Sequence, residues 1–139
     1  MKKRLVLLWT PVVMALALTL APVTAATTGY TFVKVDQHCY GAQGQNVYFR
    51  VRLTAAGSTA ANKLTINSQS QYFSGAKWHK FYVWGQNKTT FTPNGQQHSI
   101  DYSYTHEGTN ANNWRIVSKL RAWNGTHLLA SKTLKSLAC

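Results

Sequence analysis

The stretch Val47-Tyr48-Phe49-Arg50-Val51-Arg52-Leu53-Thr54 (residues 47–54) decides the fold class. Val47, Phe49, Val51 and Leu53 occupy every second position, with Tyr48, Arg50, Arg52 and Thr54 between them. Side chains alternate across a β-strand, so this segment has one apolar face for a core and one polar, basic face for solvent. No helical period fits it.

The same period recurs on both sides. Residues 30–36 alternate more weakly, and residues 63–67 place Leu64 and Ile66 together. Residues 78–84 set Trp78, Tyr82 and Trp84 against His79, Phe81 and Val83. Residues 97–104, 114–123 and 126–134 complete the set, with a further short strand expected at 89–92. Turn-forming residues separate these runs: Gly41 with Gly44, Gly57-Ser58, Ser74-Gly75, Pro93-Asn94-Gly95, the polar loop 107–113, and Asn124-Gly125. Seven or eight short strands at this spacing predict a single antiparallel β-sandwich of immunoglobulin-like type. The two cysteines lie outside the central strand runs, unlike those of antibody domains.

The first 25 residues read differently. Lys2, Lys3 and Arg4 precede an apolar run over residues 5–20, and Val23 and Ala25 stand at −3 and −1 of a small-residue cleavage site. That is the layout of a signal peptide, with residues 26–139 as the exported β-sandwich domain. A retained membrane anchor is the alternative; Pro11 and the small residues at 21–26 argue for cleavage. Export sends the protein outside the cell or into its envelope, where cysteines oxidise. Cys39 and Cys139 are the only two, so a disulfide is expected between them, closing a loop of 100 residues. Loss of Lys2, Lys3 and Arg4 lowers the formal charge from +12 to +9, with Asp36, Asp101 and Glu107 as the only acids.

That excess concentrates in the last two runs. Asn124-Gly125 predicts a two-residue hairpin turn with Trp123 facing Thr126. This register puts Ile116, Ser118, Leu120, Ala122, Leu129 and Thr133 on the core face. Arg115, Val117, Lys119, Arg121, Trp123, Leu128 and Lys132 share the other. Tyr48, Arg50 and Arg52 repeat the pattern. Arg50, Arg52, Arg115, Lys119, Arg121 and Lys132, with Trp123 alongside, are therefore the expected anion-binding residues. Cations contact phosphate, carboxylate or sulfate, and flat rings stack on sugars. Charges on solvent-facing strand positions also serve solubility and protect sheet edges. An excess of +9 exceeds what solubility of a small domain needs.

Trp78, Tyr82 and Trp84 form a candidate aromatic platform for sugar rings; filling of the core is the competing use of the same rings. His38, His79, His98, His106 and His127 match no zinc spacing, so neither metal nor cofactor is expected. Three carboxylates give little material for a glycosidase. His98, His106 and Glu107 with Arg115 make an acid–base set on paper for a small hydrolase. No catalytic residue is assigned. The expected function is a non-catalytic binding module for anionic polysaccharide, a cell-wall polymer or a membrane surface. A cationic antimicrobial or toxin acting on membranes is the alternative, and a small secreted hydrolase the second. Nucleic acid is disfavoured, because an exported protein rarely meets it and no nucleic-acid motif is present.

Overall fold

The computed structural model describes residues 29–92, 95–108 and 113–139, and the side chains within them except those of Trp84 and Gln86. The expected signal peptide, residues 1–25, lies outside the described residues. Seven strands follow one another: β1 (Tyr30–Tyr40), β2 (Asn46–Ala55), β3 (Lys63–Ser74), β4 (Lys77–Thr90), β5 (His98–His106), β6 (Trp114–Asn124) and β7 (His127–Lys135). They form two antiparallel sheets, ordered β1-β2-β5 and β4-β3-β6-β7. β2 lies over β6, β5 over β3 and β1 over β7, so the molecule is an all-β sandwich. Its strand order is immunoglobulin-like, with the fourth strand in the sheet of the third. Among the described residues no helix is long and apolar enough to cross a membrane.

The alternation of residues 47–54 places the core. Val47, Phe49, Val51 and Leu53 are fully buried, and they meet Leu64, Ile66, Ile116 and Leu120 from the facing sheet, also fully buried. Each such side chain contributes roughly 1.5–3 kcal/mol through burial. The inner face of β3 continues through Ser68 and Ser70, both buried. Ser68 is tied to Ser118 of β6 by a hydroxyl–hydroxyl hydrogen bond of 2.7 Å. These serines hide the second half of β3 from a hydropathy reading, which ended it near Asn67.

Two other expectations change. The run 78–84 and the first two residues of the expected run 89–92 belong to one strand, β4, which ends at Thr90 and whose register slips against β3 between Asn67 and Gln69 and again between Ser70 and Gln71. The final hairpin pairs Asn124 with His127, so Gly125 and Thr126 are the turn residues. Only Gly125 among them has positive φ, at 58°. That is the pattern of a type II′ turn, with glycine at its first central position, rather than the I′ turn that Asn-Gly suggested. A further slip beside Ala122 puts Ala130 and Leu134 on the core face, with Leu129 packed partly buried against it and Thr133 left exposed.

The cysteines are joined. Cys39 at the end of β1 bonds to Cys139, with 5.6 Å between their Cα atoms. The Cys139 backbone also exchanges two 2.8 Å hydrogen bonds with Trp114, so this one residue fastens the strand edge of one sheet to β6 of the other.

Candidate functional site

Register decides which cations share a face. On β3 the residues opposite the core are Lys63, Thr65, Asn67, Gln69 and Gln71, and each has a partner on either side. Gln71 stands between Arg115 of β6 and Lys80 of β4. Gln69 stands between Val117 and Val83, and Asn67 between Lys119 and the Gln86 position. Thr65 stands between Arg121 and Lys88, and Lys63 between Trp123 and Thr90. Lys135 joins this outer face from β7 as the partner of Val117. A groove of about 310 Å3 runs over the face, lined by Asn67, Gln69, Lys80, Val117, Lys119 and Thr133.

The composition of this sheet is one-sided. β3, β4, β6 and β7 carry nine lysines and arginines and no aspartate or glutamate. Neighbouring cations two residues apart on a strand are about 7 Å apart. In water each such pair costs on the order of 0.6 kcal/mol, and no acid in the sheet offsets it.

Two indoles hold part of that charge in place. The Arg115 guanidinium lies over Trp78, 3.9 Å from the ring centroid, and its Nε donates to Gln71 Oε1 at 2.9 Å. Trp123 is flanked by Lys63, 5.2 Å from its ring centroid, and by Arg121 at 5.8 Å. Trp123 Nε1 donates to Thr65 Oγ1 at 3.0 Å, and Lys63 Nζ donates to the Gly125 carbonyl at 3.1 Å. Partial burial pulls the Arg115 pKa below its ordinary value without removing its charge at neutral pH.

The residues singled out in sequence divide into separate places. Arg115, Lys119, Arg121 and Trp123 lie together on the outer face of the four-stranded sheet. Arg50 and Arg52 lie on the outer face of the other sheet, opposite Ser103 and Asp101 of β5. Both bind Asp101: Arg50 Nη2 donates to Oδ2 at 2.6 Å and Arg52 Nη2 to the same oxygen at 2.8 Å. Those hydrogen bonds, Arg52's first, hold the Asp101 carboxyl down at a pKa of about 2 against the burial that raises it. The charge of that pair is thus partly spent within the protein.

Lys132 is the partner of Leu120, so it projects on the core side of edge strand β7 rather than beside Arg121. Lys34 takes the equivalent place on edge strand β1 opposite Val51. Inward-pointing lysines on edge strands discourage strand-to-strand association.

The aromatic row of β4 is broken by the slip between Ser70 and Gln71. Trp78 pairs with outward-facing Phe73 and Tyr82 with inward-facing Ser70, so the two rings are on opposite faces. The side chain of Trp84 is outside the described set.

The hydrolase set is not assembled either. His98 and His106 stand at opposite ends of β5. His106 is buried on the inner face against Trp114 and Phe81, and that burial lowers its pKa. Arg115 points to the outer face of the opposite sheet. Among the described residues no three His, Cys, Asp or Glu side chains come together as a metal site.

No family model and no curated protein matches the chain. Among solved structures, the sporulation control protein Spo0M from Bacillus subtilis aligns over 78% of this chain and 46% of that one, at 11% identity and a TM-score of 0.35. The β-glucosidase from Kluyveromyces marxianus, in complex with glucose, aligns over 79% of this chain and 14% of the enzyme, at 12% identity and a TM-score of 0.36. The chain therefore spans less than half the length of either structure. Likeness at this level carries no activity or ligand across.

Lys63, Lys80 and Lys88 were missed in sequence. Lys80 sat between aromatic positions whose alternation the bulges break, and Lys63 and Lys88 sit singly in their runs. The signal available was the absence of acids from residues 37–100 and 108–139, which is visible without any structure.

Proposed function

We propose that this protein is an exported, non-catalytic module that holds anionic cell-surface or extracellular polymers on the outer face of its four-stranded sheet. The single observation that carries the reading is the segregation of charge. Nine of the twelve lysines and arginines after residue 25 belong to that sheet, Lys132 on its core side, and all three acids lie outside it. A surface built for solubility alone mixes both signs. A one-sided face has a repulsive cost that a polyanion removes, and it draws such a ligand in over long range. The signal-peptide layout and the Cys39–Cys139 bridge support an extracellular or envelope location.

The test is retention on dextran sulfate as a function of salt. Lys119→Glu with Arg121→Glu reverses two charges in the centre of the face, and binding should weaken about a hundredfold at low salt. Arg50→Glu with Arg52→Glu changes the net charge equally on the other sheet, and binding should stay within about threefold. Equal losses from both pairs would reduce the effect to net charge and remove the site.

A second reading, attack on anionic membranes, is favoured by one observation. Phe81, Tyr82 and Val83 are 60%, 57% and 54% exposed on edge strand β4, next to the cationic face. Dye release from anionic but not neutral vesicles, abolished by Phe81→Ser, would select it.

A further inference from the structure

Among the cations of this face, Arg115 is held differently from the rest. Its backbone is on β6, yet its guanidinium stacks on Trp78 of β4, so the side chain crosses β3 above Gln71. Two contacts fix its plane, the indole below and the Gln71 acceptor at Nε, and the residue is partly buried. Fixing a long side chain on binding normally has an entropic cost, and here folding has already met it. With Nε engaged, the two terminal nitrogens form the remaining donor edge. That edge matches two oxygens of a carboxylate, sulfate or phosphate. Lys80, the other neighbour of Gln71, adds an exposed point charge in the same row and lines the groove that leads towards Lys119.

We propose that Arg115, seated on Trp78 and Gln71, is a preorganised fork that takes one oxyanion group of the polymer in a bidentate grip. Lys119 and Arg121 supply the non-specific field along the chain. The proposal rests on the polymer-binding reading above and adds to it a defined subsite, so that the face recognises the geometry of the anion as well as its charge.

Arg115→Lys keeps the charge and removes the fork. The whole protein, with its disulfide intact, is titrated with three soluble polymers: polygalacturonate, dextran sulfate and polyphosphate. On the polymer whose group fits, Arg115→Lys should bind about tenfold more weakly, while the slope of log affinity against log salt stays that of the wild type. Lys34→Arg, a charge-conserving change on edge strand β1 of the other sheet, should bind within twofold of wild type. Gln71→Met releases Nε with no change of charge, and should cost about threefold; it carries the test if Arg115→Lys fails to fold. The polymer that shows the loss identifies the oxyanion.

If these seat variants bind all three polymers as wild type does, while Lys119→Glu with Arg121→Glu still weakens binding, the fork is overturned and the polyanion face stands. If the charge-reversed pair also binds as wild type, both readings fall.

Discussion

Asp101 shows how one side chain can withdraw two others from a surface. It stands opposite Arg52 on β5 and accepts hydrogen bonds from both Arg50 and Arg52. Its folded pKa, about 2, is below the ordinary 3.8. The carboxylate therefore stabilises the fold fully above about pH 4, and that contribution is lost as pH falls towards 2. The arginine side chains are 40% and 47% exposed, so solvent screening keeps the contribution modest. Asp101→Asn should cost about 1 kcal/mol at pH 7 in urea unfolding, less in high salt. The difference from wild type should shrink between pH 4 and pH 2. An undiminished difference at pH 2 would mean that the loss has another cause. Arg115 is the contrasting residue, held by an indole and an amide and by no acid, so its charge stays available.

At the scale of elements, turns and bulges settle what hydropathy leaves open. The β3–β4 hairpin turns through Gly75 and Ala76, with φ of 57° and 64°. Both central residues are left-handed, as a type I′ turn requires, and the second is an alanine. A Cβ there costs about 1 kcal/mol. Ala76→Gly should raise stability by roughly 0.5–1 kcal/mol, the gain reduced by the greater freedom of glycine in the unfolded chain. A thermal melt shifted upward by a few degrees is the expected reading; a lower midpoint would show that the backbone is not strained there. In β4 the slip between Lys80 and Tyr82 moves Tyr82 to the face opposite Trp78. Strict alternation in the sequence predicts one aromatic row. An extra residue in one strand changes the face of everything after it, and no local residue pattern announces it.

At the scale of the whole molecule, the Cys39–Cys139 bridge links the two sheets across 100 residues of chain. By the loop-entropy model it contributes up to about 4.7 kcal/mol, largely by restricting the unfolded chain. Cys39→Ser with Cys139→Ser should lower unfolding stability by about 3–4 kcal/mol while leaving dextran sulfate binding of the folded fraction near that of wild type, because neither cysteine is on the cationic face. A loss of affinity in protein that remains folded would place the ligand near the bridge instead.

Much of this architecture is legible in the residues alone. The alternation of Val47, Phe49, Val51 and Leu53 places one inner face, and Ile116, Leu120 and Ala122 place the other. Local sterics and burial dictate these assignments, so neighbours in sequence suffice. The sequence also limits the pairing of Cys39 to Cys139, since there is no other cysteine. What only the tertiary structure decided is which charged strands lie side by side. Arg50 and Arg52 read like Arg115, Lys119 and Arg121, yet strand order sends the two groups to opposite sides of the sandwich. It gathers Lys63, Lys80 and Lys88 around the latter group. Strand partners are chosen by burial summed over whole sheets and by hydrogen bonds between distant segments. A charge on the solvent face therefore goes where its strand is carried, and its own segment holds no record of its neighbours.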